Sequence, residues 1–181
     1  MKFIETSLKG LYVVTPKKIE DNRGLFTRTF CKKEFTQIGY NNELVQFNQS
    51  FNLKKGTIRG MHYQKKPFSE TKLIRCVKGK VFDVAVDIRK GSPTFLQHFG
   101  VELTEENMLS IFIPEGFAHG FQTLENNTSL IYHHSEYYRP EADAGVRYND
   151  ETLKIMWPVE AVNLSEKDEN YPLITENFKG I

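Results

Sequence analysis

The chain has 181 residues, 24 Lys and Arg against 23 Asp and Glu, and a formal net charge of +1. That length fits one domain with a buried core, and so even a charge balance argues against a nucleic-acid or membrane partner, leaving any phosphate to a local cluster. The two cysteines, Cys31 and Cys76, are too few for a disulfide framework, no apolar run approaches a membrane span, and MKFIETSLKG at the N-terminus lacks the core of a signal peptide, so a cytoplasmic protein is expected.

In chain order, CKKEFTQIG (31–39) predicts a short helix stopped at Gly39. Short apolar runs follow: LIRCV (73–77), VFDVAVDI (81–88), HFGVEL (98–103), LSIFIP (109–114), HGFQTL (119–124) and SLIYHH (129–134). Turn residues separate them at Lys78-Gly79, Gly91-Ser92-Pro93, Pro114-Glu115-Gly116 and Asn126-Asn127. Residues 81–88 alternate, with Phe82, Val84, Val86 and Ile88 on one face and Val81, Asp83, Ala85 and Asp87 on the other. That pattern predicts a half-buried strand carrying carboxylates on its second face. SEKDEN (165–170) reads as a helix start, with Ser165 as N-cap and Asp168 three residues on. YPLITENFKGI, at the C-terminal end, reads as an irregular tail or an oligomer contact. Short strands at this spacing predict an all-β sandwich or barrel. The 14 Phe and 8 Tyr suit sheets or a sugar-binding cavity.

Four clusters carry candidate chemistry. In GTIRGMHYQ (56–64), Arg59 and His62 lie three apart and would face opposite sides of a regular strand; a glycine bulge would turn both to one pocket. Arginine suits phosphate oxygens and histidine moves protons near neutral pH. IPEGFAHGF (113–121) carries His119 and resembles the second half of the cupin metal motif. The first half is incomplete, leaving His62, His119 and Gln64 or Glu70 as the ligand set of a metal-dependent cupin. In YHHSEYYRPEADAGVRYND (132–150), strand alternation puts Tyr132 and His134 on one face and His133 on the other, against a shared ion. Lys167-Asp168 offers a carboxylate to orient a histidine, or simply a helix-cap charge.

Taken together, DNRGLF (21–26), GTIRGMHYQ (56–64), KLIRCVKGKVFDVAVDIRKGSPTF (72–95), IPEGFAHGF (113–121), YYRPE (137–141) and LSEKD (164–168) resemble the nucleotide-sugar 4-keto-6-deoxy 3,5-epimerases, in the family's order and across nearly the whole chain. The resemblance implies a cupin-type jelly-roll homodimer with no metal or organic cofactor, making deoxysugars for surface polysaccharide. It also implies roles: His62 as general base oriented by Asp168, Tyr132 as proton donor on the opposite face of the sugar, and Lys72 as stabiliser of the enolate oxygen. Arg23, Arg59 and Lys167 would hold the diphosphate or sugar. Phe26, Gln46, Asn48, His119, Tyr138 and Asp143 would complete substrate binding. A ketone at C4 acidifies C3 and C5, and inversion needs proton-transfer groups on opposite faces, so these residue types fit the reaction. Asp83 is expected to orient His119.

The chain departs from the family's pattern at Arg28 and Asp143, where glutamates are usual, and at Lys66-Pro67-Phe68-Ser69-Glu70, where Pro-Pro-His-Ala-Gln is common. Arg28 offers only donors, which suit guanine N7 and O6, so a GDP-linked hexose or heptose is the expected substrate and a dTDP-linked one the alternative. A ketone-shifting isomerase, a metal cupin and a non-catalytic sugar-nucleotide binder are the competing readings.

Overall fold

The computed structural model describes residues 1–181. Its strands are β1 (Lys2–Glu5), β2 (Tyr12–Thr15), β3 (Lys18–Asp21), β4 (Gly24–Thr27), β5 (Gln46–Asn52), β6 (Ile58–Gln64), β7 (Lys72–Lys78), β8 (Lys80–Asp87), β9 (His98–Thr104), β10 (Ser110–Ile113), β11 (Phe117–Thr123), β12 (Thr128–His134) and β13 (Asp143–Gly145). A six-stranded sheet runs β1-β2-β10-β7-β12-β5 and a five-stranded sheet runs β13-β6-β11-β8-β9, every pairing antiparallel. β3 and β4 pair only with each other, as a hairpin apart from both sheets.

The two sheets face one another across a buried layer. Ile74, Cys76, Ile111, Ile113 and Leu130 enter it from the six-stranded sheet, and Val81, Ala85, Leu103, Phe117 and Phe121 from the five-stranded one. On the outer face of the six-stranded sheet, Leu73, Phe112 and Val14 meet Phe35 and Tyr40. Phe35 belongs to α1 (Lys32–Phe35), which continues as a 3-10 turn to Ile38 and stops at Gly39 with φ 77°, as the sequence predicts. Enclosing Phe35 completely contributes about 1.5–3 kcal/mol of apolar burial.

β8 corrects one expectation. It is not half-buried: Val84, Val86 and Ile88 pack on the outer face beneath a second cover that includes Val146, Leu153, Trp157, Phe178 and Ile181. The C-terminal tail is irregular, as expected, but it lies on its own chain: Ile181 donates to the Ile88 carbonyl at 2.9 Å and accepts from Lys90 at 3.2 Å. Asp83 and Asp87, the carboxylates of the other face, are fully enclosed and partnered. The structure contains no helix long and apolar enough to cross a membrane.

Candidate active site

A cavity of about 270 Å³ opens between the sheets. Arg59, His62, His119 and Phe121 reach it from β6 and β11 of the five-stranded sheet; Asn48, Gln49, Ser50, Lys72, Tyr132 and His134 reach it from β5, β7 and β12 of the six-stranded sheet.

The glycine bulge is what lets Arg59 and His62 share this cavity. His62 pairs with His119 and Arg59 with Phe121, so the register of β6 against β11 shifts between them. Gly60 sits at the shift with φ 139°, so close to β11 that a Cβ there would lie 2.5 Å from Gly120 Cα. Only two glycines permit that approach. Arg59 Nε then donates to Asn52 Oδ1 at 2.8 Å, which fixes the guanidinium at the cavity mouth.

His62 Nε2 donates to Asp168 Oδ1 at 2.6 Å. Asp168 is carried by α2 (Glu166–Glu169), and its backbone N–H is capped by Ser165 Oγ at 3.1 Å, the helix start the sequence predicts. Burial pushes the Asp168 carboxyl up, but the His62 bond and the Gly60 N–H outweigh it and hold the group below its usual range. With the proton on Nε2, Nδ1 keeps a lone pair.

Tyr132 faces this histidine's sheet from the other side. Its hydroxyl is 2.8 Å from Ser50 Oγ. Burial raises Tyr132 far above the ordinary tyrosine value despite the opposing Ser50 bond, so it keeps its proton at neutral pH. His119 Nε2 reaches both Asp83 oxygens at 3.0 Å, the pairing expected from the sequence. Burial lowers His119 against the pull of Asp83, which favours the neutral ring.

The remaining expected residues fall into two groups outside the cavity. Gln46 accepts from the Tyr138 N–H at 3.0 Å, the Tyr138 hydroxyl donates to Asp143 at 3.2 Å, and Lys167 pairs with Asp143. This polar cluster adjoins His62 through Tyr171, whose ring is 5.7 Å edge-on from the imidazole and 5.7 Å from Lys167 Nζ. Arg23, Phe26 and Arg28 stand on or beside the β3–β4 hairpin, exposed to solvent. Arg23 binds Asp21 at 2.6 Å and Arg28 binds Glu34 at 3.0 Å.

Gln49, Ser50, Phe121 and His134 line the cavity without having been singled out from the sequence as binding residues. Ser50 and His134 were legible in principle: Ser50 alternates with Asn48, and His134 with Tyr132. The donors expected of a metal cupin are engaged elsewhere. His62 and His119 bind carboxylates, Gln64 bonds the backbone of Phe68, Tyr137 and Arg139, and Glu70 faces Lys72 and His134. No group of three His, Cys, Asp or Glu side chains stands where it could hold an ion.

An aspartate-held histidine and a protonated tyrosine on facing sheets, with Arg59 and Lys72 in the cavity walls, fit an isomerase site. The family model for dTDP-4-dehydrorhamnose 3,5-epimerase matches residues 5–176. The chain is 43% identical over 171 residues to the dTDP-4-dehydrorhamnose 3,5-epimerase of Shigella flexneri, covering 94% of each chain. It is similar to the crystal structure of the Bacillus anthracis enzyme with TDP and pyrophosphate bound, at TM-score 0.93 and 43% identity, over 96% of this chain and 99% of that one. It is also similar to the Legionella pneumophila enzyme in complex with dTDP-4-keto-L-rhamnose, at TM-score 0.91 and 42% identity, over 95% and 92% of the two chains. The chain belongs to the dTDP-4-dehydrorhamnose 3,5-epimerase family, with its cupin-type jelly roll, and is a nucleotide-sugar 3,5-epimerase.

Proposed function

We propose that this protein inverts C3 and C5 of a dTDP-linked 4-keto-6-deoxyhexose without a metal or organic cofactor. The carrying observation is the pair of proton-transfer groups on facing sheets, His62 bonded to Asp168 and Tyr132 bonded to Ser50, with one cavity between them.

His62 Nδ1 takes the proton from the carbon next to the ketone. The C–H electrons move into the ring as an enolate, and charge collects on the C4 oxygen. Lys72, lining the cavity, stabilises that oxygen. Tyr132 gives its proton to the opposite face of the same carbon, and the centre is inverted. His62 then releases its new proton to water and Tyr132 takes one back from water, which restores the neutral imidazole and the phenol for the next turnover. Arg59 in the cavity wall holds diphosphate oxygens, and Lys167, paired with Asp143, takes the diphosphate or sugar role the family resemblance suggests. Asn48 and His119 contact the sugar, and Gln46, Tyr138 and Asp143 border the nucleotide.

The expectation of guanine rested on Arg28. That guanidinium is bound to Glu34, and the relatives named above are dTDP-sugar enzymes, so support passes to dTDP. The protein acts as a homodimer in the cytoplasm, where its two unbridged cysteines are at home. Exposed Ile19, Leu25 and Phe26 on the hairpin, and Phe47 and Phe51 on the edge strand β5, favour association. Arg23, Phe26 and Arg28 lie outside their own cavity, so their substrate contacts require a site completed across that dimer. Light scattering of the purified protein tests this; a monomer at micromolar concentration removes it.

Proton NMR in deuterated water, with dTDP-4-keto-6-deoxyglucose and its GDP counterpart, tests the reaction. The expected result is deuterium at C3 and C5 of the dTDP sugar and none with His62→Ala. Faster exchange with the GDP sugar would restore the guanine reading.

A further inference from the structure

Glu70 stands just before β7 and its carboxylate faces two side chains of the cavity wall. Oε1 lies 3.1 Å from Lys72 Nζ, and Oε2 accepts from His134 Nδ1–H at 2.7 Å. All three side chains are about nine-tenths enclosed, at 9–10% exposure. The sheet dictates the arrangement. His134 and Lys72 are direct partners between β12 and β7, so their side chains rise side by side from one face. The remaining imidazole nitrogen of His134, Nε2, faces Asn48 Nδ2 at 3.4 Å and accepts from it when the ring proton is on Nδ1. The four groups form one chain: Asn48, His134, Glu70, Lys72.

This chain answers a problem posed by the lysine. A lysine ammonium sits on a flexible stem with several rotatable bonds. A group that stabilises a developing oxyanion acts best when it is already in place, since reorganisation during the reaction erodes the gain. A carboxylate bound to Lys72 alone would fix it but cancel much of its charge. Shared with His134, the same carboxylate fixes the ammonium with less cancellation. Burial pushes Glu70 up, but Lys72 and His134 outweigh it and bring it to about 2, so it stays ionised throughout the working range.

We propose that Glu70 is the positioning residue for Lys72 and that His134 anchors Glu70, so that the ammonium stands where the enolate oxygen forms. This rests on the epimerase reading above. It also gives a physical role to a segment in which the chain departs from the family's pattern, the stretch ending at Glu70.

Turnover and deuterium uptake from dTDP-4-keto-6-deoxyglucose, measured on the full chain, test it. Glu70→Ala is expected to lower kcat about 10²-fold while KM moves less than about twofold. Glu70→Gln, whose amide oxygen still accepts from Lys72, recovers part of that loss. His134→Ala gives a smaller loss in kcat. In a Lys72→Met background, Glu70→Ala costs nothing further, because its effect passes through the lysine. A second readout needs no substrate: the Lys72 ammonium protons are visible by NMR when held in a bond, and they disappear in Glu70→Ala. An unchanged kcat, a full Glu70→Ala loss persisting without Lys72, or an unaltered ammonium signal overturns the proposal. A wild-type protein inert toward every 4-keto sugar overturns the epimerase reading, and with it the purpose given to Lys72, while the tether is still judged by the ammonium signal alone.

Discussion

His62 and Asp168 are 106 residues apart in sequence, yet Nε2 and Oδ1 meet at 2.6 Å. The bond leaves the imidazole only one nitrogen for the substrate. Asp168→Asn preserves the shape but lets the amide donate to the ring, which favours the wrong tautomer. The expected loss in kcat is roughly 10²–10⁴-fold, the range of general acid–base help, with KM little changed. Steady-state kinetics check it; a KM effect without a kcat effect would assign Asp168 to binding instead.

Tyr132→Phe separates the two halves of the inversion. His62 still removes and returns protons on its own face, so deuterium enters the starting sugar while inverted product falls at least about 10²-fold. NMR reads both quantities in one tube. Inversion at an undiminished rate would show that another acid delivers the proton.

Gly60→Ala tests the close approach that aims Arg59 and His62 into one cavity. The new Cβ would meet Gly120 Cα at 2.5 Å from a backbone with φ 139°. Positive-φ strain and the clash together are expected to cost about 3 kcal/mol or more of stability. Urea unfolding measures it. A loss under about 1 kcal/mol would mean that the two strands separate freely.

Acid should weaken the fold through carboxylates held low in the native state. Glu70 falls from 4.5 to about 2: burial raises it, but Lys72 and His134 prevail. Asp87 falls from 3.8 to about 2: burial again opposes, and the Arg89, Ser92 and Thr94 bonds prevail. Both are depressed, so their stabilisation is fully present above the ordinary carboxylate range and is lost as pH falls toward about 2. Urea midpoints between about pH 6 and pH 2 should decline below about pH 5, and less steeply in Glu70→Gln. Identical slopes in the variant would remove Glu70 from that account.

Much of this molecule was legible in its sequence because alternation and turn residues are local. The strands from Leu73 to His134, the helix ended by Gly39 and the Ser165 cap all follow from neighbours in the chain. The cover on β8 was not legible. The Asp83–His119 pairing was expected, but Asp83 and Asp87 look like a solvent face in the sequence, and local alternation does not show that the face they share is fully enclosed between the sheets. The candidate site divides the same way. Arg59 and His62 were readable through Gly60, and Tyr132 through the family resemblance. His134 was readable as a neighbour of Tyr132 on one strand face, but its bond to Glu70 was not, because that bond depends on a cross-strand pairing and a bend before β7, both products of the tertiary fold.

His62 rides on one sheet and Tyr132 on the other, with the layer of Ile74, Ala85, Leu103, Ile111 and Leu130 between those sheets. That layer is therefore a gauge block. In the reaction proposed above, its thickness sets the gap across which a flat enolate would pass from histidine to tyrosine. A methyl group gained or lost at Ala85 or Leu103 is expected, under that reading, to change the gap and with it the balance between the two inversions, although neither residue lines the cavity.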